Sequence, residues 1–164
     1  MNTYKIVKKP EKLDWNCIPV ATINNPYHTG NVDISAGGQI CYDESALYVH
    51  LFAKEAHIRA EGKGLLDAPC EDSCLEFFFS PMNGDSRYFN IEYNPNCCIY
   101  LGTGTCVDDL VRLIPESGFP FHPEVNRMED GWEITYQIPY SFIRQFFPNF
   151  SPVSGYEMRG NMYK

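Results

Sequence analysis

Two carboxylates and two amides, Glu76, Asn90, Glu92 and Asn94, are the side chains of this sequence whose types and spacing could serve a ligand. Across Tyr88-Phe89-Asn90-Ile91-Glu92-Tyr93-Asn94 the residues alternate, so a β-strand there turns Asn90, Glu92 and Asn94 to one side and Phe89, Ile91 and Tyr93 to the other. The run Asp72-Ser73-Cys74-Leu75-Glu76-Phe77-Phe78-Phe79 precedes it, across a Pro81-Met82-Asn83-Gly84-Asp85 cluster with the composition of a turn. Two β-rich runs around such a cluster predict a hairpin. With Glu76 on the polar side, both carboxylates and both amides share one sheet surface, with nothing basic among them. Such groups suit hydrogen bonding to a neutral polyhydroxyl compound; the same pattern also describes a solvated face of an antiparallel sheet.

The elements that must position this surface are mostly short strands. Gly38 to Tyr42 and Ala46 to Glu55 predict a hairpin around Asp43-Glu44-Ser45, with large residues on both faces of its second arm. Cys98-Ile99-Tyr100-Leu101 reads as a strand closed by Gly102-Thr103-Gly104, and Val107 to Arg112 as a helical turn or a short strand. Gly131 to Pro139 alternates with Trp132, Ile134, Tyr136 and Ile138 on one side. Tyr140 to Phe147 is the one helical segment, stopped by Pro148, and a last strand runs through Tyr156 to Met162. The first thirty-five residues are loop-rich, broken by Pro10, Pro19, Pro26 and Gly30, with Trp15 and Ile18 as apolar anchors. A lone Trp in such a lead-in is expected to plug one end of the core. Many short strands and one brief helix predict an all-β fold, an antiparallel β-sandwich of jelly-roll or immunoglobulin-like type, as one domain over residues 1–164.

Composition narrows the partners. A formal net charge of -8 argues against nucleic acid or an anionic membrane as partner, since no basic stripe stands out in the sequence. Seven cysteines cannot all pair within one chain, and no long apolar run or leader-like segment is present, which points to a cytoplasmic protein with reduced thiols; a removed leader would make it a secreted one. Cys70 and Cys74 lack a Cys-x-x-Cys spacing, and the histidines at 28, 50, 57 and 122 lack a recognisable ligand spacing for haem or metal. Asp43, Asp72 and Asp108-Asp109 are the oxygen donors open to a structural calcium ion, without an ordered ligand loop.

Four blocks in order carry a resemblance: Tyr42-Asp43-Glu44-Ser45-Ala46-Leu47-Tyr48-Val49; Glu71-Asp72-Ser73-Cys74-Leu75-Glu76-Phe77-Phe78; Tyr88 to Asn94; and Gly131-Trp132-Glu133-Ile134 with Ile138-Pro139-Tyr140. Together they resemble the family 9 carbohydrate-binding modules and their DOMON-like relatives, from about residue 12 to the end. The resemblance implies a β-sandwich and a non-catalytic module, accessory to glycoside hydrolysis, that holds a neutral sugar or glycan end between two Trp rings while a Glu, an Arg and an Asn bond its hydroxyls. By motif position the Glu is Glu76. The family's Arg-x-Asn pair falls on Asn90 and Glu92, so neither residue is kept. One family Trp falls on Cys70, and the other belongs to a segment beyond Lys164, where the pattern stops short. The expected site is therefore Glu76, Asn90, Glu92 and Asn94, with Tyr100 and Trp132 among the rings that could replace the lost platforms. Three other readings stay open: a sandwich without ligand that serves interaction, a DOMON-like haem or metal binder, and a glycosidase using Glu76 and Glu92, whose carboxyls would need to stand about 5 to 9 Å apart.

Overall fold

The computed structural model describes residues 2–24 and 33–164; Pro26, His28 and Gly30 lie outside them. Strands β1 (Val7–Lys8), β2 (Ala21–Ile23), β3 (Ser35–Tyr42), β4 (Ala46–Lys54), β9 (Glu124–Met128) and β10 (Gly131–Pro139) form one sheet in the order β1-β3-β4-β10-β9, with β2 also on β3. Strands β5 (Leu75–Ser80), β6 (Tyr88–Tyr93), β7 (Ile99–Gly104), β8 (Val111–Arg112) and β11 (Arg159–Tyr163) form the other, in the order β11-β5-β6-β7-β8. Pairing is antiparallel except where Val7 and Lys8 run parallel to Cys41 and Tyr42. The expected β-sandwich with one helix is what the chain forms, and α1 (Tyr140–Phe146) begins where the helix was predicted.

Alternation decides which face of each strand is inside. Leu75, Phe77 and Phe79 of β5, Phe89, Ile91 and Tyr93 of β6, Leu47, Val49, Leu51 and Ala53 of β4, and Trp132, Ile134, Tyr136 and Ile138 of β10 are all buried in one core. Helix α1 closes one end, with Phe142 edge-on to Phe121 at 5.0 Å and Phe89 edge-on to Phe147 at 5.4 Å.

The outer faces of the two sheets differ, and this difference positions the site. On the first sheet the lead-in lies down as a cover: Trp15 rests on His50 at 5.1 Å between ring centres, and the Gln39 amide donates to the carbonyls of Trp15 and Ile18. Trp15 thus packs on a sheet face and does not plug an end, because Gln39 and His50 offer it a polar floor there. Gln39 and Glu133 also hold both ring nitrogens of His50, at 2.7 and 2.9 Å.

A buried carboxylate ties the sheets together at one end. Glu55, just past β4, accepts from the Trp132 indole N–H at 2.8 Å, the Ser73 hydroxyl at 3.0 Å and the Lys164 ammonium at 3.0 Å. Trp132→Phe removes one charge-assisted hydrogen bond and shrinks a fully buried ring, so we expect urea denaturation to show a loss of about 3 kcal/mol with an unchanged slope.

Candidate functional site

The register of the second sheet sets its outer face row by row. Tyr163 of β11 stands opposite Glu76 of β5, Glu76 opposite Glu92 of β6, and Glu92 opposite Tyr100 of β7. Directly paired residues share a face, so two acids lie side by side with a tyrosine on each flank. At strand spacings of about 4.8 Å the two tyrosine backbones are roughly 14 Å apart. The next row reads Asn161, Phe78, Asn90, Gly102 and Arg112. Phe78 meets Tyr163 edge-on at 5.1 Å and Tyr88 at 6.0 Å, so three rings, one each from β11, β5 and β6, lie along this face.

The acid pair is partly withdrawn from water. Burial raises the carboxyl pKa of Glu76 from an ordinary 4.5 to about 7; the charge of Glu92 adds to this, and the Cys74 thiol and Lys164 oppose it. Glu92 is raised by burial as well, against the Asn90 amide, which donates to Glu92 Oε1 at 2.7 Å, and against the charge of Arg112. Cys74, Glu76 and Glu92 each bring one ligand atom to within 4.8 Å of the others, a donor set that the sequence spacing did not disclose. The Asn90 side chain is buried, yet its Oδ1 accepts no hydrogen bond among the described residues.

Tyr100 lies flat on the sheet because position 102 is glycine. A Cβ built at Gly102 would stand 2.8 Å from Tyr100 Cε1 and 2.9 Å from its hydroxyl oxygen. The Arg112 guanidinium lies over the ring, 5.0 Å from its centre, while its N–H groups donate to the carbonyls of Leu65, Leu66, Asp67 and Ile99.

Of the residues expected from sequence, Glu76, Asn90, Glu92 and Tyr100 are brought together on this face; two others are not. Trp132 is fully buried, since it projects from β10 into the core between the sheets and spends its N–H on Glu55. Asn94 is also fully buried: it follows the last residue of β6, where its amide donates to Gly62 O and Asp72 Oδ2 and its oxygen accepts from the N–H groups of Asn96 and Cys98. Asn94 is a loop bracket. The aspartates named for calcium likewise bind their own loops, Asp43 through Ser45, Ala46 and Tyr48, Asp72 through Glu61 and Gly62, and Asp109 through Thr105 and Cys106. His50 belongs to the far face of the other sheet.

Cys70 sits on the short turn Pro69–Glu71 beside the acids; its thiol is pushed up by burial and then by the charges of Glu92 and Glu76. All seven cysteines are free thiols. Two surface hollows lie off this face, one of about 460 Å³ between Met82-Asn83 and Val153 to Glu157, the other of about 290 Å³ around Arg59, Gly62 and Asp72. The acids lie on the outer sheet face with a tyrosine on each flank. No helix of the described residues is long and apolar enough to cross a membrane.

The sequence model of carbohydrate-binding family 9 matches residues 3–164. This chain belongs to carbohydrate-binding family 9. The family is one of non-catalytic carbohydrate-binding modules. Among solved structures, a Bacteroides uniformis protein assigned to carbohydrate binding superposes with a TM-score of 0.78 at 22% identity, over 96% of this chain and 80% of that one. A family 9 module from Caldicellulosiruptor kristjanssonii in complex with cellotriose gives 0.64 at 14% identity, over 96% and 73%. The same kind of module in complex with glucose gives 0.61 at 14%, over 96% and 75%. At these identities the likeness is one of family 9 fold. No curated protein matches the chain.

The raised pKa of Glu76 has a sign that stability can read. The folded chain holds this proton up to about pH 7 and the unfolded chain releases it near pH 4.5, so the group's contribution to stability is full below about pH 4.5 and is lost as pH rises to about 7. Denaturation of wild type and Glu76→Gln side by side should show the variant gaining on the wild type across this window, by roughly 3 kcal/mol. Parallel pH profiles would mean the carboxyl is not perturbed.

Proposed function

We propose that the chain binds the end of a mono- or oligosaccharide on the outer face of the β11-β5-β6-β7-β8 sheet, as a module accessory to glycoside hydrolysis. The row Tyr163, Glu76, Glu92, Tyr100, with Asn90 beside it, carries this reading. It unites on one surface the two features a sugar site needs, acceptors for hydroxyl groups and rings for the C–H faces of the sugar. The C. kristjanssonii structures hold glucose and cellotriose in a fold that matches most of this chain, which supports the ligand class. The seven free thiols fit a reducing compartment, and we propose a cytoplasmic location on that ground.

Affinity and selectivity divide between different groups. Stacking supplies most of the attraction, whereas hydrogen bonds to hydroxyls largely replace bonds to water and so discriminate more than they hold. Tyr100, Phe78 and Tyr163 are the rings at hand, and Cys70 offers none where the family has a Trp. Binding should therefore be weak, with a Kd on the order of 1 mM.

A two-dimensional NMR titration with glucose, xylose, cellobiose and xylobiose tests the site. Shifts should cluster on Glu76, Asn90, Glu92, Tyr100 and Tyr163, and Cys70→Trp should tighten binding by up to about tenfold. Shifts confined to other surfaces, or none from any sugar, would remove the assignment.

A further inference from the structure

The acids of this face lack a counter-charge. Glu76 and Glu92 are direct cross-strand partners, and like charges in that arrangement repel. Among the described residues neither forms an ion pair, and the cations around them are engaged elsewhere. Arg112 gives its N–H groups to four backbone carbonyls, Lys164 is held by Glu55, and Arg59 pairs with Glu61 and Asp72.

The unmet hydrogen-bonding capacity has one sign too. The Asn90 N–H already serves Glu92 Oε1, leaving Asn90 Oδ1, although the residue is only 3% exposed, with no donor among the described residues. What remains beside Asn90 on the floor of the site is the carboxyl oxygen of Glu76 and Glu92, which accepts wherever the acid is ionised. A neutral sugar can donate hydroxyl protons to such a floor but leaves its charge untouched. An ammonium brings three N–H donors and a positive charge together.

We propose that the preferred ligand of this face is an amino sugar in its ammonium form, a 2-amino-2-deoxyhexose or a glycan ending in one, with the ammonium between Glu76 and Glu92. This deepens the sugar-binding reading above and rests on it. The flanking rings of Tyr163 and Phe78 serve both parts of such a ligand, since aromatic faces stack on sugar C–H groups and also attract cations.

Calorimetry and NMR titration at neutral pH with glucosamine, N-acetylglucosamine and glucose separate the charge from the ring. Glucosamine should bind at least about tenfold more tightly than glucose, and N-acetylglucosamine, which has the nitrogen without the charge, should gain no such advantage. The glucosamine preference should collapse in Glu92→Gln and in Glu76→Gln, and should shrink with added salt. Removing one of two repelling charges favours folding, and circular dichroism of both variants checks it. Equal binding of glucosamine and glucose at these residues would overturn the amino-sugar assignment while leaving the sugar site standing. Silence from all three sugars would overturn both. A response of Cys74, Glu76 and Glu92 to Zn²⁺ alone, with none to sugars, would replace both by a metal site.

Discussion

Glu55 is the group on which the relation of the two sheets depends. A carboxylate that is withdrawn from water must be met by donors or it destabilises the fold by several kcal/mol. Here the donors come from different parts of the chain: Trp132 on β10 of its own sheet, Ser73 just ahead of β5, and Lys164 just after β11 of the other. The last two flank the strands that carry Glu76 and Tyr163. The requirement to satisfy one buried charge thus fixes the end of the sheet from which Glu76 and Glu92 project.

Much of this architecture is legible in the sequence, for a local reason. Strands that bury one face announce it by alternation, and Trp132 to Ile138 and Phe89 to Tyr93 are read correctly on that signal alone. The short helix is bounded by Pro139 and Pro148, whose effect on the backbone is equally local. Strands β1, β2 and β9 are not legible. Glu124–Met128 is almost wholly exposed at a sheet edge, so no apolar rhythm marks it, and its strand state comes from pairing with β10.

The candidate site divides along the same line. Glu76, Asn90 and Glu92 come together because one hairpin joins them. Phe78 is hidden inside Phe77-Phe78-Phe79, where three identical residues mask the parity that puts the middle one outside. Tyr163 becomes visible only through the register of β11 on β5, a pairing between distant parts of the chain. Asn94 has the right parity, but β6 ends one residue earlier and the amide turns into the loop. Trp132 has the residue type of a sugar platform, but its alternation with Ile134 and Tyr136 puts it in the core.

The clasp on Tyr100 bears on how tightly such an open platform can hold anything. Four carbonyls fix the guanidinium of Arg112, which lies on the ring, and the absence of a side chain at Gly102 lets that ring rest against the sheet. A free tyrosine gives up rotamer freedom when a ligand settles on it. This one has given it up already, during folding. Its position is set by the fold alone, so any ligand that meets this end of the face meets a preformed shape.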